Sequence, residues 1–181
     1  KTEKKFFKHK KIDTDIKYIA FYLPQFHPFP ENDEWWGKGF TEWTNVVRAK
    51  PQYNNHALPN LPTDLGFYDL RLPEVIEEQT KLAINYNIDA FCFYFYWFNG
   101  KILMEKPIEN FVKNKELDIK FCFSWANENW TRKWDGLDNE VLIKQEHSLE
   151  DSKNFINYIS KYFKDNRYLK VNGKPVLIIY N

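Results

Sequence analysis

The chain has 181 residues, a formal net charge of +1 at pH 7 and 43% hydrophobic residues, which is enough for one globular domain with a sizeable core. The near-neutral charge argues against a nucleic-acid-binding protein, and no apolar run reaches the roughly 18 residues that span a membrane. The four histidines are scattered without ligand spacing and there is no Gly-rich phosphate loop, so we predict neither a metal site nor a bound cofactor.

The first 15 residues contain six lysines and read as a linker or a frayed terminus. An electrostatic contact with anionic membrane lipids is a weaker alternative. We therefore place the folded domain at residues 16–181 and expect a cytoplasmic protein, with peripheral membrane contact as the alternative.

Four short apolar runs predict β-strands, at residues 18–23, 90–97, 119–124 and 175–180. Each run is apolar at successive positions rather than at every second one. That pattern is typical of strands buried on both faces, as in a parallel sheet.

The segments between these strands predict one long loop and three helices. The loop runs from Gln25 to Leu72, and its prolines and tryptophans indicate a functional loop rather than surface decoration. The helices are predicted at residues 73–86, from Pro107 onward, and after a capping box formed by Ser148 and Asp151.

Alternating strands and helices predict an α/β fold with parallel strands and right-handed crossovers. Both a doubly wound sheet and a (β/α)8 barrel have this rhythm. The first strand is not followed by a Gly-rich turn, which argues against the nucleotide-binding version of the doubly wound sheet. Cys92 and Cys122 fall inside predicted strands, so we expect two buried thiols, with a disulfide between neighbouring strands as the alternative.

The stretch from Cys122 to Gly136 places three tryptophans among amides, carboxylates and an arginine. Flat apolar rings beside such groups suit a ligand with C–H faces and many hydroxyls, which is a sugar. A hydrophobic plug at the end of a barrel is the alternative. All seven tryptophans lie at or beyond the C-terminal ends of the first three predicted strands, and none falls in a predicted helix. This favours the ligand cleft, because that end of a barrel holds the active site.

Long motifs in a fixed order carry a family resemblance. They are IAFYLPQFHP (19–28), END (31–33), WWGKGFTEWTN (35–45), LGFYDLR (65–71), YFYWFNGK (94–101), WANENWTR (125–132), WDG (134–136) and NGKP (172–175). From about Ile16 to Asn181 the chain resembles the WbsX-type glycosyltransferases, which are found in polysaccharide (O-antigen) biosynthesis clusters. That family is similar to the endo-α-mannosidase-like glycoside hydrolases, which resemble (β/α)8 barrels.

The resemblance implies that the chain is the N-terminal half, about four βα units, of a (β/α)8 barrel. Two features depart from the family pattern. Phe95 stands where many members have His, and the family continues past Asn181 to an Asn-Glu-Trp segment and further acidic residues. The catalytic carboxylates of the hydrolase relatives are attributed to such later loops, so we expect a fragment of a longer domain, with a truncated gene product as the alternative.

The activity that the resemblance implies is glycosyl transfer in surface polysaccharide (O-antigen or lipopolysaccharide) biosynthesis, on a glycan or an activated sugar. The first alternative is an endo-acting glycoside hydrolase on mannose-like glycans. The second is a non-catalytic carbohydrate-binding fragment. The open strand edges of half a barrel also predict either self-association or pairing with the missing half.

Two carboxylates are candidates for proton transfer at the anomeric carbon. Glu128 is the first, and the alternative is that it binds sugar hydroxyls or pairs with Arg132. Glu42 is the second, with ordering of its own loop as the alternative.

The remaining candidates are predicted to bind the sugar. His27 has stacking within its loop as an alternative, and Asp33 has turn capping. We further expect Trp36, Trp43, Trp97, Trp125 and Trp130 to converge on one rim with Glu42, Asn127 and Glu128. The complete predicted binding set is Gln25, His27, Glu31, Asp33, Trp36, Trp43, Tyr96, Trp97, Asn99, Trp125, Asn127, Trp130, Arg132, Trp134 and Asp135.

Overall fold

The computed structural model describes residues 14–132 and 137–180. The elements are, in chain order, β1 (Ile19–Tyr22), α1 (Pro30–Trp36), α2 (Glu42–Arg48), α3 (Pro73–Asn85), β2 (Ala90–Phe98), β3 (Lys101–Leu103), α4 (Glu105–Lys113), β4 (Lys120–Trp125), β5 (Trp130–Arg132), β6 (Leu137–Ile143), α5 (Leu149–Ile159), a 3-10 helix (Ser160–Lys164), β7 (Lys170–Val171), β8 (Lys174–Pro175) and β9 (Leu177–Ile179).

A parallel sheet in the order β1-β2-β4-β9 organises the domain. Parallel pairing of strands that follow one another along the chain confirms the predicted α/β rhythm. A doubly wound order, in which the strand order reverses at the first strand, is not seen among these four strands.

The two faces of the sheet carry different side chains, because neighbouring residues of a strand point to opposite faces. One face of β2 presents Phe91, Phe93, Phe95 and Trp97, which form the main core with the helices packed against them. The other face presents Cys92, Tyr94, Tyr96 and Phe98. Cys92, Tyr96 and Phe98 are buried on this second face, whereas its β1 residues Ile19 and Phe21 are 38% and 59% exposed. We call it the open face because of that exposed β1 end.

That exposure corrects the prediction that the first strand is buried on both faces. Phe21 lies beside Cys92 in the register and stacks on Tyr94 at 5.5 Å between ring centroids. The Phe21 ring is otherwise exposed to solvent, at 59%. Cys92 and Cys122 lie side by side on β2 and β4, and both are buried free thiols, as expected.

Each long helix follows from a local signal. Pro73 begins α3, whose buried residues Ile76, Thr80 and Ala83 recur at helical spacing. Ser148 caps α5, since its hydroxyl oxygen accepts a hydrogen bond from the Asp151 N–H at 2.9 Å. The predicted capping position is therefore confirmed.

Other boundaries differ from the sequence predictions. The predicted single loop of residues 25–72 contains α1 and α2, since Pro30 begins the first and a Thr41–Thr44 capping box begins the second. Consequently Trp35, Trp36 and Trp43 lie in helices, contrary to prediction. Helix α4 begins at Glu105 rather than Pro107, which lies in its first turn.

The last predicted strand is shorter than expected. Only Leu177–Ile179 pairs with β4, while residues 174–175 pair back with residues 170–171 around the Asn172–Gly173 turn. Within the described ranges, no helix combines the length and the apolar character needed to cross a bilayer. The basic segment before residue 14 lies outside the described residues.

Candidate functional site

A cleft of about 570 Å³ lies where the four parallel strands end. Its lining comes from the segment after β1, the second half of β2, the loop after β4 and the residue after β9. The lining residues are Gln25, Tyr94, Tyr96, Phe98, Ala126, Glu128, Asn129, Trp130, Thr131 and Tyr180. We call this feature the strand-end cleft.

Aromatic rings form one wall of the strand-end cleft. The Trp130 ring lies 5.0 Å from Tyr96 and 6.5 Å from Phe98, measured between ring centroids. Trp35 of α1 packs on the same indole at 5.9 Å. Such a wall offers flat apolar surface to a ligand ring.

Polar groups border these rings. The Gln25 amide nitrogen donates to the Tyr96 hydroxyl at 2.8 Å, which fixes both groups in the cleft. Burial raises the pKa of Tyr96, so its phenol stays neutral and keeps a hydrogen to donate. The Asn129 side chain is fixed in place, because its oxygen accepts a hydrogen bond from the backbone N–H of Gln145 at 2.7 Å.

The two candidate catalytic carboxylates differ in environment. Glu128 lines the cleft and is exposed. Glu42 is half-buried at the start of α2, and burial raises its pKa. The Glu42 carboxylate also contributes to raising the pKa of Tyr96, but Glu42 is not one of the cleft-lining residues. Within residues 14–132 and 137–180, no three His, Cys, Asp or Glu side chains group together as metal ligands would.

The predicted convergence of tryptophans on one rim is wrong for Trp97 and Trp125. The Trp97 indole N–H donates to the buried carboxylate of Asp151 at 2.8 Å, under α5. The Trp125 indole donates to the Trp97 carbonyl at 3.4 Å, and its ring lies 4.4 Å from Phe155. Both positions fall on the helix-facing side of their strands, so the two rings join the core instead of the cleft.

Two further predicted tryptophans, Trp43 and Trp36, pack within the α1–α2 region. The Trp43 indole donates to the Tyr68 carbonyl at 2.9 Å, and its ring lies 4.6 Å from Phe26. Trp36 stacks on Phe40 at 5.3 Å. Among the predicted tryptophans that the structure describes, Trp130 lines the strand-end cleft.

Glu31 and Asp33 make contacts within the fold. Glu31 forms a 2.8 Å ion pair with Lys101 of β3. The Asp33 carboxylate accepts from the Gly39 N–H at 2.7 Å, six residues on, which is a contact within the loop after α1 rather than the Asx-type turn given as its alternative.

His27 and Asn99 also have structural explanations. His27 is 3% exposed and packs on Phe29 at 5.9 Å, and burial lowers its pKa, so the ring stays neutral. Asn99 has φ = 47° and forms the two-residue turn with Gly100 that joins β2 to β3. An Asn-Gly pair at that position needs no ligand to explain it.

The last binding candidates follow β4. Asn127 is half-buried in the loop beside the cleft-lining residues Ala126 and Glu128. Arg132 lies in β5. Trp134 and Asp135 lie outside the described residues.

Six lining residues were not predicted from the sequence: Tyr94, Phe98, Ala126, Asn129, Thr131 and Tyr180. A signal for Tyr94 existed in β2, where the hydroxyl-bearing Tyr94 and the predicted Tyr96 alternate with Phe93, Phe95 and Trp97. Polarity at every second position marks the face that meets a ligand or water.

Comparison with solved structures identifies the fold. Two structures of the GH99 endo-alpha-mannosidase from Bacteroides thetaiotaomicron, one in complex with BIS-TRIS-propane, match this chain with TM-scores of 0.57 and 0.56. Sequence identity is 18% and 17%, so the likeness concerns the fold alone. The match covers 92% and 90% of this chain, and 42% and 44% of the two solved chains.

Sequence comparison identifies the family. The chain is 54% identical over 162 residues to WxcX of Xanthomonas campestris pv. campestris, in both strain B100 and strain ATCC 33913. That region is 90% of this chain and 23% of WxcX, so the chain spans less than a quarter of the length of these relatives. The family described as Glycosyltransferase WbsX matches residues 18–181, and the chain belongs to this family.

Proposed function

We propose that this domain binds a glycan in the strand-end cleft and takes part in glycosyl transfer during surface polysaccharide (O-antigen or lipopolysaccharide) synthesis, in the cytoplasm. The observation that carries the proposal is the wall formed by Tyr96, Phe98 and Trp130 beside the amides of Gln25 and Asn129. A sugar presents apolar C–H faces to such rings and hydroxyls to such amides. Membership of the WbsX family supports the same substrate class.

Proton transfer in this proposal belongs to Glu42 and Glu128. Reaction at an anomeric carbon passes through an oxocarbenium-like transition state and needs an acid for the leaving oxygen. A carboxyl whose pKa is raised by burial keeps its proton closer to neutral pH, which suits Glu42 to that role. The exposed carboxylate of Glu128 is then the base that activates the incoming group.

We further infer that the sheet is half of a (β/α)8 barrel. Three observations support this inference: the sequential order of the parallel strands, the apolar open face, and the likeness to a longer GH99 structure. In a closed barrel, the open face would point inward and the strand-end cleft would lie at the mouth.

The proposal is tested by an assay with an activated sugar donor and a glycan acceptor, using the full chain. Transfer should require the donor, and Glu128→Gln should lower the turnover rate by about 10²-fold while sugar binding persists. Glu146→Gln is the matched control, since Glu146 is an exposed carboxylate outside the cleft lining, paired with Lys144. Unchanged turnover in Glu128→Gln would remove that residue from the chemistry.

Hydrolysis is the second candidate function, favoured by the likeness to the GH99 endo-alpha-mannosidase structures. A hydrolase would cleave a mannose-containing glycan with water alone and would ignore an activated donor. Sugar binding without either reaction would instead identify a non-catalytic carbohydrate-binding domain.

A further inference from the structure

The Gln25 side chain makes one hydrogen bond within the protein and keeps one open polar atom. Its amide nitrogen donates to the Tyr96 hydroxyl at 2.8 Å. Its amide oxygen has no hydrogen-bond partner among the described residues, and it is not among the side-chain atoms that are both buried and unpaired. Since Gln25 is half-buried and lines the strand-end cleft, this oxygen keeps surface that a ligand in the cleft can reach.

The backbone around Gln25 is fixed on both sides. The preceding residue, Pro24, is fully buried, and the Gln25 carbonyl accepts from the His27 N–H at 2.8 Å. The next carbonyl, that of Phe26, accepts from the Leu70 N–H at 3.1 Å. A side chain that is ordered before a ligand arrives loses less conformational entropy when the ligand binds.

Tyr96 is a rigid partner for the Gln25 amide. It lies in β2, opposite Leu103 of β3, and it is 8% exposed with its ring 5.0 Å from Trp130. The phenol cannot move without disturbing this packing, so it holds the amide nitrogen on its own side. Because the amide is planar, the oxygen is then directed away from the phenol.

We propose that the Gln25 oxygen accepts a hydrogen bond from a sugar hydroxyl in the strand-end cleft, and that Tyr96 is the positioning residue that orients it. This inference rests on the proposed function and names the group of the substrate that the cleft recognises. A hydroxyl donates to the amide oxygen, whereas a fully ionised phosphate or carboxylate has only acceptors and would be repelled by it. The contact therefore selects a neutral, hydroxyl-bearing part of the substrate.

A second tyrosine–glutamine pair in the chain provides a matched control. The Tyr22 hydroxyl donates to the side-chain oxygen of Gln79, between β1 and α3. Neither residue lines the strand-end cleft. The oxygen of this second glutamine is already bonded within the protein, so its loss should affect stability and not sugar binding.

The first experiment is a double-mutant cycle on the full chain, with affinity for methyl hexopyranosides measured by calorimetry. Gln25→Met removes the amide, and we expect it to weaken binding by about tenfold. Tyr96→Phe keeps the ring and removes the hydroxyl, and it should weaken binding by up to the same factor. The double variant should bind no more weakly than Gln25→Met, because Tyr96 acts through Gln25. Tyr22→Phe and Gln79→Met should leave the affinity unchanged.

Two results of this cycle would contradict the inference. Losses of affinity that add in the double variant would remove the positioning role of Tyr96. Unchanged affinity in Gln25→Met would remove the contact itself and leave the proposed function standing.

The second experiment needs no variant, since it changes the sugar instead of the protein. Each hydroxyl of the most tightly bound methyl hexopyranoside is replaced in turn by hydrogen and by fluorine. Fluorine cannot donate a hydrogen bond, so at the recognised position both analogues should bind about tenfold more weakly than the parent sugar. A set of fluoro analogues that all bind as tightly as the parent would show that no hydroxyl donates to the cleft, which would overturn the inference. Wild-type protein that binds none of these sugars would overturn the proposed function itself.

Discussion

At the scale of single residues, the burial of Glu42 predicts how the stability of the protein depends on pH. Its pKa in the folded protein lies above the ordinary value of about 4.5, because desolvation disfavours the charged carboxylate. The stability that the protonated group provides is therefore fully present below that ordinary value and is lost as the pH rises through the folded-state pKa.

We expect Glu42→Gln to raise the free energy of unfolding at pH 7 and to leave it unchanged near pH 4, measured by urea denaturation. In a turnover assay the same substitution should lower the rate by about 10²-fold, since the amide cannot transfer the proton. Glu34→Gln, at an exposed carboxylate of α1, is the control for both measurements. A loss of stability in Glu42→Gln at pH 7 would instead identify a carboxylate that orders its own loop.

The strand ends show why the tryptophans could be located in the chain but not assigned to a face. Strand β2 continues through Phe98, one residue past its predicted end, so Trp97 lies inside the strand. Whether a strand residue faces the core or the cleft depends on parity, and a shift of one position reverses it. Aromatic residues occupy both parities of β2, so hydrophobicity alone could not separate Trp97 from Tyr96.

At the scale of elements, the periodicity of the sequence predicted the strands and the long helices. It did not predict which distant residues contact one another. The four sheet strands and the cap at Ser148 were predicted because their signals are local. Helices α1 and α2 were missed because each has only seven residues, too few to show a periodic pattern. Arg167 was missed because its partners lie about fifty positions earlier in the chain.

Arg167 closes the end of α4. Its guanidinium donates to the carbonyls of Val112 and Asn114 at 3.1 and 2.8 Å, and it also pairs with Asp165 at 2.9 Å. These carbonyls belong to the last turn of the helix and would otherwise be unpaired.

We expect Arg167→Lys to lower the free energy of unfolding by about 2 kcal/mol, because an ammonium group cannot reproduce the planar fork of donors. Arg48→Lys, at an exposed position at the end of α2, should have no measurable effect. Equal stability of the two variants in urea denaturation would show that Arg167 contributes only its charge.

The same arginine controls a pH dependence. Its hydrogen bond, with a further one from Lys115, holds the pKa of Asp165 well below the ordinary value of about 3.8. A depressed pKa contributes stability that is present above the ordinary value and is lost as the pH falls through the folded-state pKa. Wild-type stability should therefore decline in acid, below about pH 4, and Arg167→Lys should show a smaller decline because part of the contribution is already gone.

For the molecule as a whole, the sheet is covered by helices on one side, while on the other side Tyr96 and Phe98 are buried in a smaller cluster and the β1 end is exposed. The main core forms where α3, α4 and α5 pack on β2 and β4. On the open face, Ile19 and Phe21 of β1 and the adjoining Leu23 are 38%, 59% and 44% exposed. In the described part of the chain, β1 and β9 each pair with a single parallel neighbour, so both outer edges of the sheet have unused backbone groups.

We expect an isolated polypeptide of residues 14–180 to self-associate at micromolar concentration and to bind an apolar dye. Exposed apolar side chains beside an unpaired strand edge favour pairing with another chain. Light scattering measures the association, and Leu23→Lys should reduce it because a charge at that edge opposes strand pairing. Ile156→Lys is the control, since Ile156 is 43% exposed on the outer side of α5, away from the open face. A monomer that melts cooperatively and binds no dye would show that the open face is stable in water by itself, and the inference of half a barrel would lose its main physical support.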